Sequence, residues 1–321
     1  MPQNSSTHGK DVRKRCTEKG EKQLKISGFT IAAHAIRFDY PVVESIRSIL
    51  PIVDEFIVNV GPDVDGTLDL IRSIGDPKIR VIRSQWNPHL DTGGYLFAQQ
   101  TNIALFNCTG SWAFYLQADE VVHEDDLPLI MECVERYLED DRVEGLNFWH
   151  LDFWGDYSTM LNVYPFRGQR RCRLVKPHRF VLSRGDAAGF TVHPKYKEKG
   201  RRIRVVDTGA RLYHYGHTRT EKTLHEKWQS TQKYHSERPT DDQNIDFYKY
   251  FPRQFMAPYK ETHPKVMADR IKKHPVSLDL SSPAWRTTLT LGERWLLLKT
   301  LFVTKITDRI SGRGSYKLLK E

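Results

Sequence analysis

The sequence has no long hydrophobic run and no pattern of paired cysteines. No stretch approaches the roughly 18 consecutive apolar residues that a membrane-spanning helix requires. The first 22 residues are polar and charged, with no apolar segment, so no secretory leader is expected. The four cysteines are far apart and include no Cys-x-x-Cys pair, which excludes a disulfide-rich scaffold and indicates free thiols in a reducing cytoplasm.

The composition is that of a globular protein with an excess of positive charge. Hydrophobic residues make up 39% of the 321 residues and aromatic residues 11%, unlike a disordered chain. The formal net charge of +9 indicates an anionic partner, which nucleic acid, phospholipid head groups or a phosphorylated substrate would each provide. Charge alone does not choose among them.

Short apolar runs alternate with segments of helical periodicity through the first half of the chain. The predicted strands are residues 29–33, 56–60, 79–82, 112–116 and 146–149. The spacing of apolar residues between them predicts helices over about 41–50, 67–74, 94–107 and 124–138. Such alternation is typical of parallel βαβ units, so we predict an α/β fold with a doubly wound, mostly parallel sheet flanked by helices.

The stretch from Trp112 to Glu120 is the predicted centre of this sheet. Its apolar run is typical of a strand buried on both faces, and the pair Asp119 and Glu120 follows at its carboxyl end. Ligands of open α/β sheets bind outside the carboxyl ends of the strands. A divalent cation held by carboxylate oxygens can bridge them to a diphosphate. In the alternative interpretation, the acids only complement the N-terminus of the next helix.

The second half of the chain lacks the regular alternation of strands and helices. Aromatic and basic residues mix after residue 151, and short predicted strands at 171–175, 201–206 and 211–215 have no helices between them. This pattern predicts a smaller mixed region packed on the sheet. We predict three parts: a disordered basic tail over 1–24, a sheet domain over 25–219 and a helical extension over 220–321. Within the extension, residues 285–310 carry an apolar stripe with basic flanks, which would lie on the cytosolic face of a membrane, pack on its own domain or pair with a second copy.

Four stretches of the chain together resemble a known family, the inverting nucleotide-sugar glycosyltransferases of the family-2-like, GT-A-fold type. They are residues 29–49, with the first strand and helix; residues 56–67, ending in Asp-Gly-Thr; residues 100–105, similar to an Arg-Asn-x-Ala-Leu helix; and Gln117-Ala118-Asp119, at the position of the Asp-x-Asp metal motif. The resemblance covers about residues 29–219. It is closest to a subset with Gln-Ala-Asp-Glu and a later His-Tyr-Gly segment.

The resemblance implies a GT-A-like fold and a metal-assisted, inverting transfer. The donor would be a nucleoside-diphosphate sugar, with a UDP-sugar as the leading candidate, and the cofactor Mn²⁺ or Mg²⁺. The acceptor would be a hydroxyl of a glycan or of a lipid-linked acceptor. Gln117 replaces the first acid of the family motif, so the metal would depend on Asp119, with Glu120 second and His214 as an imidazole ligand.

The nucleotide-sugar site predicted in this way draws on several parts of the chain. Its residues are Ala33, His34, Arg37, Asp63, Asp65, Asn102, Gln117, Ala118 and Arg173. The alternatives are structural: Asp63 and Asp65 would be turn residues, Asn102 would face water, and Arg173 would belong to a solvated basic face. His214, likewise, would be an ordinary residue of a strand.

The acceptor hydroxyl needs a carboxylate base within hydrogen-bond reach. Three acids after the last predicted strand are candidates: Asp186 and Asp156 equally, then Asp152. Asp156 and Asp186 each follow a glycine and can equally be turn acids.

Two other functions fit parts of the sequence. A sugar-phosphate nucleotidyltransferase would use a related sheet, but it needs a glycine-rich first loop, and residues 33–37 contain no glycine. A basic protein that binds nucleic acid or a membrane surface without catalysis would explain the charge but not the carboxylates at two strand ends. We therefore expect a nucleotide-sugar donor and no nucleic-acid partner, and leave a homo-oligomer open.

Overall fold

The computed structural model describes residues 23–62, 64–196, 199–235, 246–274, 276–306 and 316–319. Side chains at 178, 196, 233, 235 and 303–306 are outside this description. The predicted tail over 1–24 lies almost wholly outside it, and so does Asp63.

Strands and helices of the described residues follow one another in the predicted alternation. The strands are β1 (Ile26–Ala32), β2 (Glu55–Val60), β3 (Ile79–Arg83), β4 (Trp112–Tyr115), β5 (Glu120–Val122), β6 (Gly145–Trp154), β7 (Thr159–Leu161), β8 (Arg170–Val175), β9 (Val181–Arg184), β10 (Gly189–Val192), β11 (Arg201–His217), β12 (Met256–Pro258) and β13 (Tyr316–Leu318). The α-helices are α1 (Val42–Ile49), α2 (Thr67–Arg72), α3 (Tyr95–Leu105), α4 (Leu127–Arg136), α5 (Glu221–His235), α6 (Ala268–Lys273) and α7 (Leu291–Ile306). The predicted α/β class is confirmed.

The main sheet has the strand order β3-β2-β1-β4-β8-β6-β11-β10-β9. Strands β1 to β4 are parallel, β8 runs antiparallel between β4 and β6, and β6 is parallel to β11. Strands β1, β2, β4, β6 and β11 therefore all point the same way. Their carboxyl ends meet at one edge of the sheet, which is where the predicted acids lie.

Strand β4 is buried on both faces, as its apolar sequence predicts. Trp112 and Phe114 pack into the cluster under α1 and α4, whereas Ala113 and Tyr115 pack into the cluster on the opposite face. The indole nitrogen of Trp112 donates a 3.0 Å hydrogen bond to the carbonyl of Val134, which fixes α4 on this strand. The position of the loop after β4 is thereby set by a rigid core.

The second half differs from its prediction in two respects. Residues 201–217 form one strand with an irregular step between Asp207 and Arg211, where the chain was expected to form two separate strands. Gly209 takes a φ of +80° there, which glycine adopts without strain. Residues 220–321 include helices, as expected, but they also contribute β12, paired with β7, and β13, paired with β11.

No helix among the described residues combines the length and the hydropathy needed to cross a bilayer.

Candidate active site

A cavity of about 600 Å³ opens at the edge where the carboxyl ends of β1, β2 and β4 meet. Its other walls come from the loop after β3, the β9–β10 turn, β11 and α5. The lining residues are Ile31, Ala33, His34, Phe38, Tyr40, Pro62, Trp86, Pro88, Phe97, Tyr115, Gln117, Ala118, Asp119, Asp186, Ala187, His214, His217, Lys227, Ser230, Thr231 and Tyr234. The volume is that of a site for a small organic ligand.

The Asp119 carboxylate is the central charged group of this cavity. Its Oδ2 lies 3.3 Å from Lys227 Nζ and 3.6 Å from Arg219 Nη2, and its Oδ1 lies 3.7 Å from His214 Nε2. Burial alone would raise the pKa of Asp119, but Lys227, His214 and Arg219 together hold it far below the usual range. Asp119 is therefore a carboxylate at every pH of physiological interest.

Lys227 and Arg219 form a cationic pair behind the carboxylate. Both lie over the ring of Tyr40, with the Lys227 Nζ at 5.0 Å and the Arg219 Cζ at 4.6 Å from its centroid. Burial and the nearby Arg219 lower the pKa of Lys227 to about 8, although Asp119 opposes that shift. Arg219 is 1% exposed and lies behind Asp119 rather than in the cavity wall. Its Nη2 is in ion-pair contact with Asp119 and makes no hydrogen bond among the described residues.

His214 is fixed by a row of side chains across three neighbouring strands. Glu120 on β5, His214 on β11 and Asp152 on β6 are register partners. The Asp152 Oδ1 is 2.8 Å from His214 Nδ1, which leaves His214 Nε2 facing Asp119 and the cavity. Asp152 thus sets the orientation of the imidazole from behind.

The same row continues into a buried ion pair. His150 lies between two carboxylates, with Nδ1 3.0 Å from Asp152 and Nε2 3.3 Å from Glu120. Burial alone would lower the pKa of His150, but the two carboxylates raise it. Glu120 also accepts two hydrogen bonds from Arg173, through Nε at 2.8 Å and Nη2 at 2.5 Å. Each buried acid of this row therefore has basic partners: Asp152 contacts His150 and His214, and Glu120 contacts His150 and Arg173.

Aromatic rings form another part of the cavity wall. Phe97 contacts Trp86 and Tyr234 edge to face, at centroid distances of 6.0 and 5.6 Å. The Trp86 ring lies so close to Gly61 that a Cβ there would stand 2.3 Å from its indole nitrogen. Trp86 Nε1 is buried and has no hydrogen-bond partner among the described residues. The wall offers flat apolar surfaces and one free donor.

Asp186 brings a second carboxylate to the cavity from the β9–β10 turn. It is an exposed side chain whose Oδ1 accepts a 3.1 Å hydrogen bond from the N–H of Ala188. A Cβ at Gly94, which has a φ of +69°, would stand 2.5 Å from the Asp186 Cα. Glycine at 94 therefore allows the turn to approach the cavity.

Comparison with known proteins gives partial overlaps only. No protein-family model matches the chain, and no curated protein matches it. TarS 1–349 of S. aureus aligns with 16% identity and a TM-score of 0.30, over 40% of this chain and 36% of TarS. Mannosyltransferase PcManGT of Pyrobaculum calidifontis, in complex with GDP-Man and Mn²⁺, aligns with 16% identity and a TM-score of 0.32, over 40% of this chain and 36% of PcManGT. Glucosyl-3-phosphoglycerate synthase of Mycobacterium tuberculosis, in complex with Mn²⁺, UDP and glucosyl-3-phosphoglycerate, aligns with 19% identity and a TM-score of 0.30, over 40% of this chain and 44% of the synthase. The chain spans less than half the length of each.

Seven of the sequence-predicted residues line the cavity. They are Ala33, His34, Gln117, Ala118, Asp119, Asp186 and His214. They come from the carboxyl ends of β1 and β4, from the β9–β10 turn and from β11, so the sheet brings together residues up to 181 positions apart.

Glu120 and Arg173, predicted to bind the metal and the phosphate, do not line the cavity. Each is fully buried, and Arg173 donates two hydrogen bonds to Glu120. Glu120 also accepts a 2.9 Å bond from the backbone N–H of Gln117, which closes the turn between β4 and β5. Asp152, predicted third as the base, is likewise buried behind His214 rather than at the cavity.

The remaining predicted residues have structural partners away from the cavity. Asn102 bonds both the N–H and the carbonyl of Ser183 and so joins α3 to β9. Asp156 accepts bonds from Ser158 and from the N–H of Leu278 in the turn after β6, so its turn interpretation replaces that of the base.

Asp65 and Arg37 belong to one loop contact. Asp65 accepts bonds from Thr67 and from the backbone N–H of Arg37, and these lower its pKa although burial opposes the shift. The Arg37 side chain is exposed and pairs with Glu226 at 3.6 Å.

The two cations of the site, Lys227 and Arg219, were not predicted from the sequence. One face of α5 lines the cavity with Lys227, Ser230, Thr231 and Tyr234, which follow one another at steps of three, one and three. This spacing places the four residues on one face of the helix, and it is the feature of the sequence from which they could have been predicted. Arg219 comes two residues after the end of β11 and carries no comparable pattern.

Proposed function

We propose that the protein is a glycosyltransferase that moves a sugar from a nucleoside-diphosphate sugar, with UDP as the leading nucleotide, to an acceptor hydroxyl. The observation that carries this proposal is the cluster of Asp119, Lys227 and His214 at one wall of the cavity, with Arg219 buried behind Asp119. A diphosphate needs cationic partners, and a sugar or base needs flat apolar surfaces. Both lie within one cavity at the carboxyl edge of the sheet.

The basic groups would receive the leaving diphosphate. When the glycosidic bond to the diphosphate oxygen breaks, negative charge grows on that oxygen, and preorganised cations stabilise it most effectively in a site sheltered from water. Lys227 is such a cation, and Arg219 adds its positive charge from behind Asp119. Their positions are fixed by Asp119 and by the carbonyl of Gly216, to which Lys227 donates a 3.1 Å hydrogen bond.

A divalent ion, Mn²⁺ or Mg²⁺, fits the chemistry of two of these residues. Asp119 Oδ1 and His214 Nε2 face each other across 3.7 Å, and hard cations in such sites take one or two protein ligands and complete their shell with phosphate oxygens and water. Neutralisation of the charge on the diphosphate is what such an ion supplies. Glu120 is excluded from this role because its oxygens are occupied by Arg173, His150 and Gln117.

Asp186 is the base in this proposal. Its carboxylate lies at the cavity wall and is exposed, whereas Asp152 and Asp156 are buried in other contacts. The acceptor oxygen would form its bond to the anomeric carbon on the face opposite the diphosphate, with inversion, and its proton would pass to the Asp186 carboxylate. The acceptor class expected from the sequence resemblance is a glycan or a lipid-linked acceptor.

Calorimetry with a panel of nucleoside diphosphates, with and without Mn²⁺ or Mg²⁺, tests the donor site. We expect one nucleotide to bind and the metal to strengthen that binding. Failure of every nucleotide to bind, together with strong, salt-dependent binding of nucleic acid, would favour the basic binding protein instead.

The Lys227→Met variant is expected to bind the selected nucleoside diphosphate more weakly by about tenfold or more, because a charge-assisted hydrogen bond to phosphate contributes about 1.5–3 kcal/mol. The affinity is measured by calorimetry at one salt concentration. Lys222→Met is the matched control, since Lys222 is an exposed lysine on the same helix. Equal losses in both variants would mean that general surface charge, and not the position of Lys227, attracts the nucleotide.

The Asp186→Asn variant is expected to lower kcat by about 10²–10⁴-fold while the affinity for the donor nucleotide changes little, because asparagine keeps the shape but cannot accept the proton. Steady-state transfer and nucleotide calorimetry measure the two quantities. Asp91→Asn, at an exposed acid outside the cavity, is the control. A kcat within a few-fold of wild type would remove Asp186 from the role of base.

A further inference from the structure

Helix α7 has one buried face and one strongly exposed apolar face. Thr300 is buried, and its hydroxyl oxygen accepts a 2.8 Å hydrogen bond from the backbone N–H of Tyr164. Lys299 Nζ lies 3.8 Å from the centre of the Tyr164 ring. These contacts hold α7 against the loop that precedes β8 and determine which side of the helix faces outward.

The outward side carries an apolar stripe formed by Leu291, Trp295, Leu298 and Phe302. Their steps of four, three and four place them on one line of the helix, opposite Thr300. With the adjacent Leu301, they are between 56% and 84% exposed. The other large hydrophobic residues that are exposed in the described part of the chain are scattered over many elements. Single exposed apolar residues are ordinary, whereas a continuous stripe indicates a binding surface.

Basic residues border this stripe on both sides. At 100° per residue, Arg294 lies on one flank and Lys299 on the other. The only acid of the helix, Glu293, lies toward the buried side and is paired with Arg286 through contacts of 2.6 and 2.8 Å. The outward face therefore combines apolar side chains with unopposed positive charge.

We propose that this face of α7 binds the surface of an anionic lipid bilayer, with the helix axis in the plane of the membrane. The apolar stripe would enter the boundary between head groups and acyl chains, where tryptophan is favoured. Arg294 would reach anionic head groups from one side of the stripe, while the Lys299 ammonium on the other side lies over the Tyr164 ring. The proposal does not depend on the chemistry of the cavity.

A second copy of the chain fits this face less well. Two α7 helices pairing through their stripes would bring the Arg294 and Lys299 flanks of one copy against the same flanks of the other. Like charges at close range oppose such pairing, whereas an anionic lipid surface neutralises them. Charge complementarity therefore favours the membrane.

Trp285 does not belong to this surface, although the predicted stripe began there. Its side chain is buried, its indole nitrogen donates a 2.8 Å bond to the carbonyl of Asp279, and it packs with Trp154, Leu161 and Met256. The part of the predicted stripe beyond residue 306 lies outside the described residues.

Sedimentation with vesicles tests the proposal on the full chain. We expect wild type to bind phosphatidylcholine vesicles that contain phosphatidylglycerol more strongly than vesicles of phosphatidylcholine alone. The variant Trp295→Ser/Leu298→Ser/Phe302→Ser should lose at least about tenfold in binding. The matched control is Val64→Ser/Phe106→Ser/Tyr250→Ser, whose residues are between 57% and 74% exposed. It should bind like wild type.

Two further measurements separate the charge from the apolar stripe and from self-association. Arg294→Gln should weaken binding to the anionic vesicles and leave the weak binding to neutral vesicles unchanged. Circular dichroism and thermal unfolding establish that each variant is folded. Vesicle binding equal to wild type in the triple serine variant would overturn the proposal. The proposal would also be overturned if wild type formed a dimer without vesicles, the triple serine variant were monomeric, and wild type did not bind vesicles.

Discussion

Sugar transfer by the Asp119→Asn variant is expected to fall by about 10²–10³-fold, the size of effect seen when one preorganised electrostatic group is removed from an active site. Asparagine keeps the shape of the side chain but removes the negative charge that faces His214 Nε2, Lys227 and Arg219. It also removes the carboxylate oxygen that hard divalent cations require. Transfer is measured with the sugar of the nucleotide selected by calorimetry, with and without Mn²⁺.

A structural effect of this substitution must be separated from a chemical one. Asp119 is the carboxylate that contacts both Lys227 and Arg219. Without its charge the two cations repel each other, so some loss of stability is expected. Chemical denaturation measures it, and transfer is compared at temperatures where the variant is fully folded. Asp125→Asn, at an exposed acid just past β5, is the control. Wild-type transfer by folded Asp119→Asn would exclude the proposed donor site.

The fold could be predicted from the sequence where a strand is buried on both faces. Runs such as 56–60 and 112–115 are wholly apolar or nearly so, and the structure confirms both as central parallel strands. Strand β11 could not be predicted as one element because it crosses from solvent to core and carries a step at Gly209. Charged and apolar residues alternate along it, and this pattern divides into two short strands when read locally.

The carboxylate of the site and His214 were predictable, but the neighbouring cations Lys227 and Arg219 were not. Asp119 and Glu120 are adjacent in the chain, and the turn between β4 and β5 sends one to the cavity and the other into a buried pair with Arg173. The sequence contains no local signal for that choice. Lys227 is 108 residues further along and reaches Asp119 only because α5 packs beside the sheet edge.

The basic run after residue 167 shows why residue type alone misleads. Arg170 lies 3.8 Å from the Trp149 ring and pairs with Asp207, and Lys176 donates hydrogen bonds to two backbone carbonyls. The alternation of the strand turns these residues toward partners on the protein itself. They are structural cations, and the cations that reach the cavity come from later in the chain.

The Arg173→Met variant is expected to lose about 3–5 kcal/mol of unfolding free energy, because removing one member of a buried ion pair leaves the other charge poorly compensated. Glu120 and Arg173 are 0% and 1% exposed and meet through two hydrogen bonds. Urea denaturation measures the loss. Arg142→Met breaks the exposed pair with Asp140 and should cost far less unfolding free energy than Arg173→Met, because exposed ion pairs contribute little to stability. A similar loss in both variants would show that burial does not strengthen the inner pair.

The pH dependence of stability gives an independent check on the same pair. Burial alone would raise the pKa of Glu120, but Arg173 and His150 lower it to about 2, from an ordinary value of 4.5. The carboxylate therefore contributes stability that is complete above about pH 4.5 and is lost as the pH falls toward 2. In Arg173→Met the pKa of Glu120 moves back toward 4.5, so the loss of stability on acidification is smaller.

The double variant Glu120→Gln/Arg173→Met should be more stable than the sum of the two single losses predicts, because it leaves no unpaired charge between β5 and β8.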